Sequence, residues 1–285
     1  MKDSTKAQDT GTARSRESRR GILVALVIVA GAASLGLAKP AQADNLTLYA
    51  TSFERPTFRA GEQLLGLDGW STAIPPFLNP QAATITREAA RHSRQSVEVR
   101  GGDLIGSEGI TAPYDAVGSY RRPLNHAISA DKPLARVDAD LLLDTHQPET
   151  RGEFFSLTIA ARSENDETLG EIGLSSDGTV EAFGFNVVSG GPPVFSKPIR
   201  LNKWYHITML LDFANRTTSY FIDEHFLGAI QAPSASNVLT RGAMVVYARP
   251  DGDESGGAGS TRSSYTARFD NFRVSVHSAA PDIDD

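Results

Sequence analysis

The segment from Trp204 to Ile230, WYHITMLLDFANRTTSYFIDEHFLGAI, admits few folds. Tyr205, Ile207, Met209, Leu211 and Phe213 alternate with Trp204, His206, Thr208, Leu210 and Asp212. A period of two marks a strand that turns one face to a core. Ala214-Asn215-Arg216 then supplies turn chemistry, and Thr218–Ile222 returns with β-forming residues. Asp223-Glu224-His225 turns the chain once more into Phe226–Ala229. Successive short strands joined by tight turns predict an all-β domain. Trp204 is expected in the core.

The same punctuation runs along the rest of the chain. Strands are expected at Leu46–Phe53, Ala83–Arg87, Gln95–Arg100, Gly118–Arg122, Ala135–Leu143, Phe154–Ala161, Leu169–Leu174 and Thr179–Phe185, then at Ala243–Ala248 and Tyr265–Val276. Ser176-Asp177-Gly178, Gly190-Gly191-Pro192-Pro193 and Asp251-Gly252-Asp253 separate them as turns. About a dozen short strands with few helix caps predict an antiparallel two-sheet sandwich or jelly roll. No composition break marks a second domain, so one sandwich is expected over 44–277. Gly252–Ser264 reads as a surface loop and 278–285 as a flexible acidic tail.

The first 43 residues read as an address rather than as structure. Ser18-Arg19-Arg20 precedes an uncharged apolar run over Gly21–Ala38, and Ala41-Gln42-Ala43 offers a small-x-small cleavage site. This order predicts a signal helix and export to the periplasm, envelope or medium. The alternative is an uncleaved anchor, the only membrane contact expected. Ser18-Arg19-Arg20-Gly21-Ile22-Leu23 resembles the twin-arginine export consensus, with an ordinary secretory signal as the other reading. The chain has no cysteine, so disulfides, thiolate metal sites and a cysteine nucleophile are excluded. Its formal charge of −6 argues against nucleic acid or an anionic membrane as partner and leaves room for a local basic patch.

Three groups of residues form a family likeness. They are Phe53-Glu54-Arg55-Pro56 with Ala60-Gly61-Glu62-Gln63-Leu64 and Leu67-Asp68-Gly69-Trp70, Asn202-Lys203-Trp204-Tyr205-His206-Ile207 with Leu211-Asp212, and Ala267-Arg268-Phe269-Asp270-Asn271-Phe272-Arg273-Val274. Together they resemble the opening, central and closing strands of concanavalin A-like (laminin G-like) jelly-roll domains of exported bacterial proteins. The likeness covers nearly all of 44–277. One departure is Asp223-Glu224-His225, where such domains usually carry Asp-Gly, so a wider loop is expected there. The resemblance implies two antiparallel sheets, one of them concave, and a role in binding or processing glycans. It also covers plain adhesion and assembly domains, and fold alone does not choose among these.

Candidate chemistry follows from particular side chains. Asp138, Asp140 and Asp144 share one strand face, opposite Val137, Ala139, Leu141 and Leu143. Carboxylates two residues apart on a strand sit about 6–7 Å apart, within the roughly 5–9.5 Å that a paired-carboxylate glycosidase uses. The glycoside hydrolases of the resembled fold carry Glu-x-Asp-x-x-Glu, which is absent here, and a solvated strand face is the alternative. His206 reads as a packed or rim histidine. For sugar binding, Trp70, Tyr114 and Tyr120 offer ring faces, and Arg121 and Arg122 offer donors to hydroxyls, with a place in the core or on the solvated surface as the other reading of each. The resemblance implies a structural calcium where first and last strands meet, with Glu54 and Asp270 as oxygen ligands. The other reading is a pair of carboxylates bonded to backbone or to an arginine such as Arg268. Alternation on the last strand slips at Asp270-Asn271, which predicts a β-bulge. The reading that fits best is an exported non-catalytic module for a glycan or a surface protein. A structural domain and a divergent glycan hydrolase or lyase are the alternatives.

Overall fold

The computed structural model describes residues 45–72, 82–105, 116–145, 154–183, 193–231, 236–249 and 265–278. Residues 1–43 (expected to direct export), Tyr114, residues 252–264 and residues 279–285 lie outside them. One sheet carries β1 (Leu46–Thr51), β3 (Ala83–Thr86), β4 (Ser96–Arg100), β6 (Leu134–Thr145), β11 (Trp204–Asp212), β12 (Thr217–Ile222), β13 (His225–Gln231) and β15 (Tyr265–His277). The other carries β2 (Ser71–Thr72), β5 (Ala116–Ala127), β7 (Phe154–Arg162), β8 (Thr168–Ser175), β9 (Thr179–Phe183), β10 (Phe195–Pro198) and β14 (Val238–Arg249). The spatial orders are β13-β12-β11-β6-β15-β4-β3 and β10-β9-β8-β7-β14-β5-β2, with β1 also on β15. Every strand pairing described is antiparallel.

Alternation places the core between the two sheets. Val137, Ala139 and Leu141 of β6 and Ile207 and Met209 of β11 are buried in it. Leu157 and Ile159 of β7 and Met244 and Val246 of β14 meet them from the other sheet. Burying such side chains removes about 1.5–3 kcal/mol of unfavourable hydration each, which drives the sandwich together. At Gly173 the sheet is so close-packed that a Cβ would lie 1.9 Å from the Leu157 carbonyl oxygen.

Three local features depart from the sequence reading. The Asp223-Glu224 turn is tight, not wide. Ile222 pairs directly with His225, and Asp223 and Glu224 both take positive φ (45° and 68°), as a two-residue turn of mirror type requires. Trp204 is half-buried opposite Leu142, on the face that Tyr205 turns away from, so it is not a core residue. β2, β10 and the short helix α1 (Gly101–Ile105) had no legible sequence pattern.

The bulge on β15 organises one end of the molecule. Register against β6 slips between Asp270 and Arg273, and Asn271 takes φ +49°. The inserted residue lets Phe269 and Phe272 both enter the core. β6 occupies one side of β15 throughout. On the other side β4 pairs with Thr266–Phe269 and β1 with Phe272–Val276. β1 and β4 therefore lie end to end along β15, with a break beside the bulge. The segments after Thr51 and before Ser96 emerge at that break.

Candidate functional site

Two sets of sequence candidates meet on the outer face of the first sheet, joined by the loop 87–95. Asp138 and Asp140 stand on β6, across from Thr208 and His206 of β11. They are not solvated: they are 6% and 3% exposed. Asp140 is held by three donors. Its Oδ1 accepts from Arg91 Nη1 at 2.8 Å and sits 2.9 Å from His206 Nδ1, while its Oδ2 accepts from Asn271 Nδ2 at 2.7 Å. Burial alone would raise its pKa, but the bonds from His206 and Asn271 and the Arg91 charge outweigh burial and lower it. Asp138 has the opposite balance. Burial raises its pKa against the nearby Arg136, His206 and Arg273. Arg136 Nε lies 3.3 Å from Asp138 Oδ2, yet the two are not aligned for a hydrogen bond, and neither atom has a hydrogen-bond partner. His206 Nε2 is 3.6 Å from Asp138 Oδ1, too far for a hydrogen bond.

Chemically, these two aspartates are not an equivalent pair. Both oxygens of Asp140 are occupied, so it orients His206 and the bulge. Asp138, by contrast, keeps one oxygen, Oδ2, without a hydrogen-bond partner. Arg91 and Asn271 carry no pattern in the sequence. They arrive through the loop and the bulge, and the slip of alternation at Asp270-Asn271 was the one signal for them.

Glu54 and Asp270 stand at either side of the same break and grip the same loop. Glu54 Oε1 accepts the N–H of Arg94 and, at 2.9 Å, that of Gln95. Asp270 Oδ2 accepts from Arg91 N (3.0 Å) and Ser93 Oγ (2.6 Å), and its Oδ1 accepts from Asn271 N (2.8 Å). Burial raises the Asp270 pKa, and these bonds oppose the rise. Glu54 Oε1 and both Asp270 oxygens thus accept from N–H and O–H donors, the backbone-bonded arrangement that is the alternative to a shared calcium. Among the described residues no cluster of three or more His, Asp or Glu is arranged to hold an ion.

Gln95 completes the clamp. Its buried Nε2 donates to the carbonyls of Phe53 (2.8 Å) and Phe58 (3.0 Å), and its Oε1 accepts from Ala60 N (3.2 Å). Between the two clamped segments lies an open cleft of about 1040 Å³. Its walls include Ser52, Glu54, Ser93 and Gln95, and Asn271 borders it beside Asp140.

The residues expected to bind sugar go elsewhere. Trp70 (2% exposed) and Tyr120 (0%) are core residues, which corrects their reading as exposed ring faces. Trp70 Nε1 donates to Tyr49 Oη at 2.9 Å, and Tyr49 donates to Asp68 at 2.8 Å, its phenol pushed up to about 12 chiefly by burial. Arg122 lies over the Tyr49 ring at 4.5 Å. Arg121 is on the outer face of the second sheet, donating to Asp166 at 3.2 Å and to Ser119 at 3.2 Å. On the same face, across β14 and β7, Glu171 accepts from Thr158 (2.8 Å) and Tyr247 (2.9 Å). Tyr114 lies outside the described residues.

No family model matches the sequence, and no curated protein matches it at a significant level. Solved structures do match. A carbohydrate esterase from the Shiga toxin-encoding bacteriophage phi24B aligns over 82% of this chain and 99% of its own, at 10% identity and a TM-score of 0.51. An endo-1,3-beta-glucanase from Streptomyces sioyaensis aligns over 81% of this chain and 96% of its own, at 11% identity and a TM-score of 0.51. A sialidase aligns over 72% of this chain and 17% of its own, at 15% identity and a TM-score of 0.43. At such identities the likeness is one of fold. The chain is a concanavalin A-like jelly-roll sandwich of two antiparallel sheets.

Proposed function

We propose that this chain is an exported jelly-roll module that binds a glycan without cleaving it. The observation that carries this reading is the preformed cleft at the break between β1 and β4. Its walls are pinned by Gln95 and Glu54, and Ser52, Ser93 and Asn271 line it with uncharged polar groups. A site rigid before binding loses little conformational entropy on binding. Two of the structural neighbours are a carbohydrate esterase and a glucanase, which agrees with a carbohydrate ligand. Against cleavage by two carboxylates stands Asp140, whose oxygens are both hydrogen-bonded. A second reading, a divergent glycan-active enzyme, draws on the Asp140–His206 pair with Asp138 beside the outer ring nitrogen.

The deciding experiment presents the full chain to a broad polysaccharide panel and scores binding and product release together. Binding without products supports the module. Products that vanish in Asp138→Asn and His206→Ala replace it with the enzyme. Silence on both scores leaves an assembly or protein-binding domain. Export has its own test. Arg19→Lys with Arg20→Lys retains a twin-arginine substrate in the cytoplasm, whereas normal export of the double variant means an ordinary secretory signal.

A further inference from the structure

We propose that the cleft beside the β15 bulge recognises an acidic glycan, one that carries carboxylate or sulfate groups along its chain. This inference rests on the glycan-binding reading above and adds the charge of the ligand. Arg55, Arg87, Arg94 and His92 all line the cleft, and all four are exposed. Among the described residues, none of the three guanidiniums is paired with a carboxylate. The neighbouring Arg91, Arg100 and Arg268 each lie within 3.6 Å of an Asp or Glu.

The reason lies in where the acids went. Glu54 is the one carboxylate on the cleft wall, and it is turned onto the N–H groups of Arg94 and Gln95. Asp270, just behind, is turned onto Arg91 N, Ser93 and Asn271 N. The backbone clamp therefore holds both carboxylates on neutral N–H and O–H donors rather than on the arginines. Three guanidiniums face one carboxylate, a net charge of +2 before His92 is counted, on a chain whose total is −6. A concave wall of low polarisability concentrates such a field.

A solvated arginine surface is the competing explanation, and single exposed arginines need no other. Three features separate this cleft from that case. The arginines come from three different stretches of chain, the β1 exit, the β3 exit and the start of β4, and they converge on one cavity. The walls that carry them are cross-bonded by Gln95. The remaining lining, Ser52, Ser93, Gln95 and Asn271, is uncharged and polar, which suits hydroxyls. Planar guanidiniums pair two-pronged with carboxylate and sulfate. A ligand that offers both acid groups and hydroxyls is an acidic saccharide.

The test is calorimetric titration of the full chain with matched probes: polygalacturonate against its methyl ester, and dextran sulfate against dextran. Poly-glutamate serves as a polyanion without sugar. The expected result is binding of an acidic member and not of its neutral partner, weakening as salt rises. Arg87→Glu with Arg94→Glu should lower that affinity by at least about tenfold, with an unchanged melting curve, and Arg94→Lys should lower it less. Equal binding of acidic and neutral partners overturns the inference and leaves the glycan reading standing. Poly-glutamate binding as tightly as the acidic glycans keeps an anion cleft but removes the glycan reading. No binding to any probe, or binding untouched by the charge reversal, overturns the acidic-glycan site.

Discussion

Gln95→Ala tests whether one buried amide holds the cleft together. The side chain makes three hydrogen bonds across the break between β1 and β4, to Phe53 O, Phe58 O and from Ala60 N. Phe53 and Phe58 are buried, so water does not easily replace the lost donor, whereas Ala60 is exposed and its N–H rehydrates. A buried carbonyl left without a donor costs about 1–3 kcal/mol, so two of them give a loss of about 3 kcal/mol. In a domain of this size that lowers the melting temperature by about 6–12 °C. Urea denaturation should show a lower midpoint at constant slope, since the surface exposed on unfolding hardly changes. Gln95→Glu sharpens the test. The new carboxyl faces two carbonyl oxygens, which favours its protonated form in the folded state. Its folded pKa lies above the unfolded value of about 4.3. The variant is then least impaired below that pH and loses stability as pH rises through the folded pKa. A loss under about 0.5 kcal/mol in Gln95→Ala, or a pH-independent Gln95→Glu, would refute the role given to this residue.

Asp138 and Asp140 should behave oppositely although they are two residues apart on one strand. The lowered Asp140 contributes stability that is present above its unfolded pKa of about 3.9 and is lost as pH falls through its folded value, so Asp140→Asn should cost about 3 kcal/mol at neutral pH and little in acid. The raised Asp138 weakens the fold as pH climbs past about 4, so Asp138→Asn should match or exceed the wild type at pH 7, and chemical denaturation across pH reads both. Gly173→Ala should cost about 4 kcal/mol or more and fail to give a cooperative melt, because its Cβ would strike the Leu157 carbonyl. Gly61→Ala, with positive φ but nothing within 4 Å, should cost only about 1–2 kcal/mol. Chelator should leave the melting temperature where it is, and a fall of several degrees would show that an ion does bind at or near Glu54 and Asp270.

Period-two alternation along Tyr205–Leu211 and Val137–Leu143, with turn residues between runs, sufficed for most of the strands and the antiparallel sandwich, and the family resemblance for the meeting of first and last strands. The alternation sufficed because one-sided burial writes itself into local order. The bulge at Asp270-Asn271 was legible for the same reason, since a change of phase is a local signal. Trp70 and Tyr120 were misread because an aromatic beside a turn looks the same whether its ring faces solvent or core. Only packing against Tyr49, Phe53 and Phe272 decides for Trp70. The cleft was not legible at all. Arg55, Arg87, Arg94 and Asn271 come from four separate stretches of chain, and nothing local marks them as neighbours. What joins them is the placement of β1 and β4 end to end along β15, and the acids that the resulting clamp turns away from the arginines.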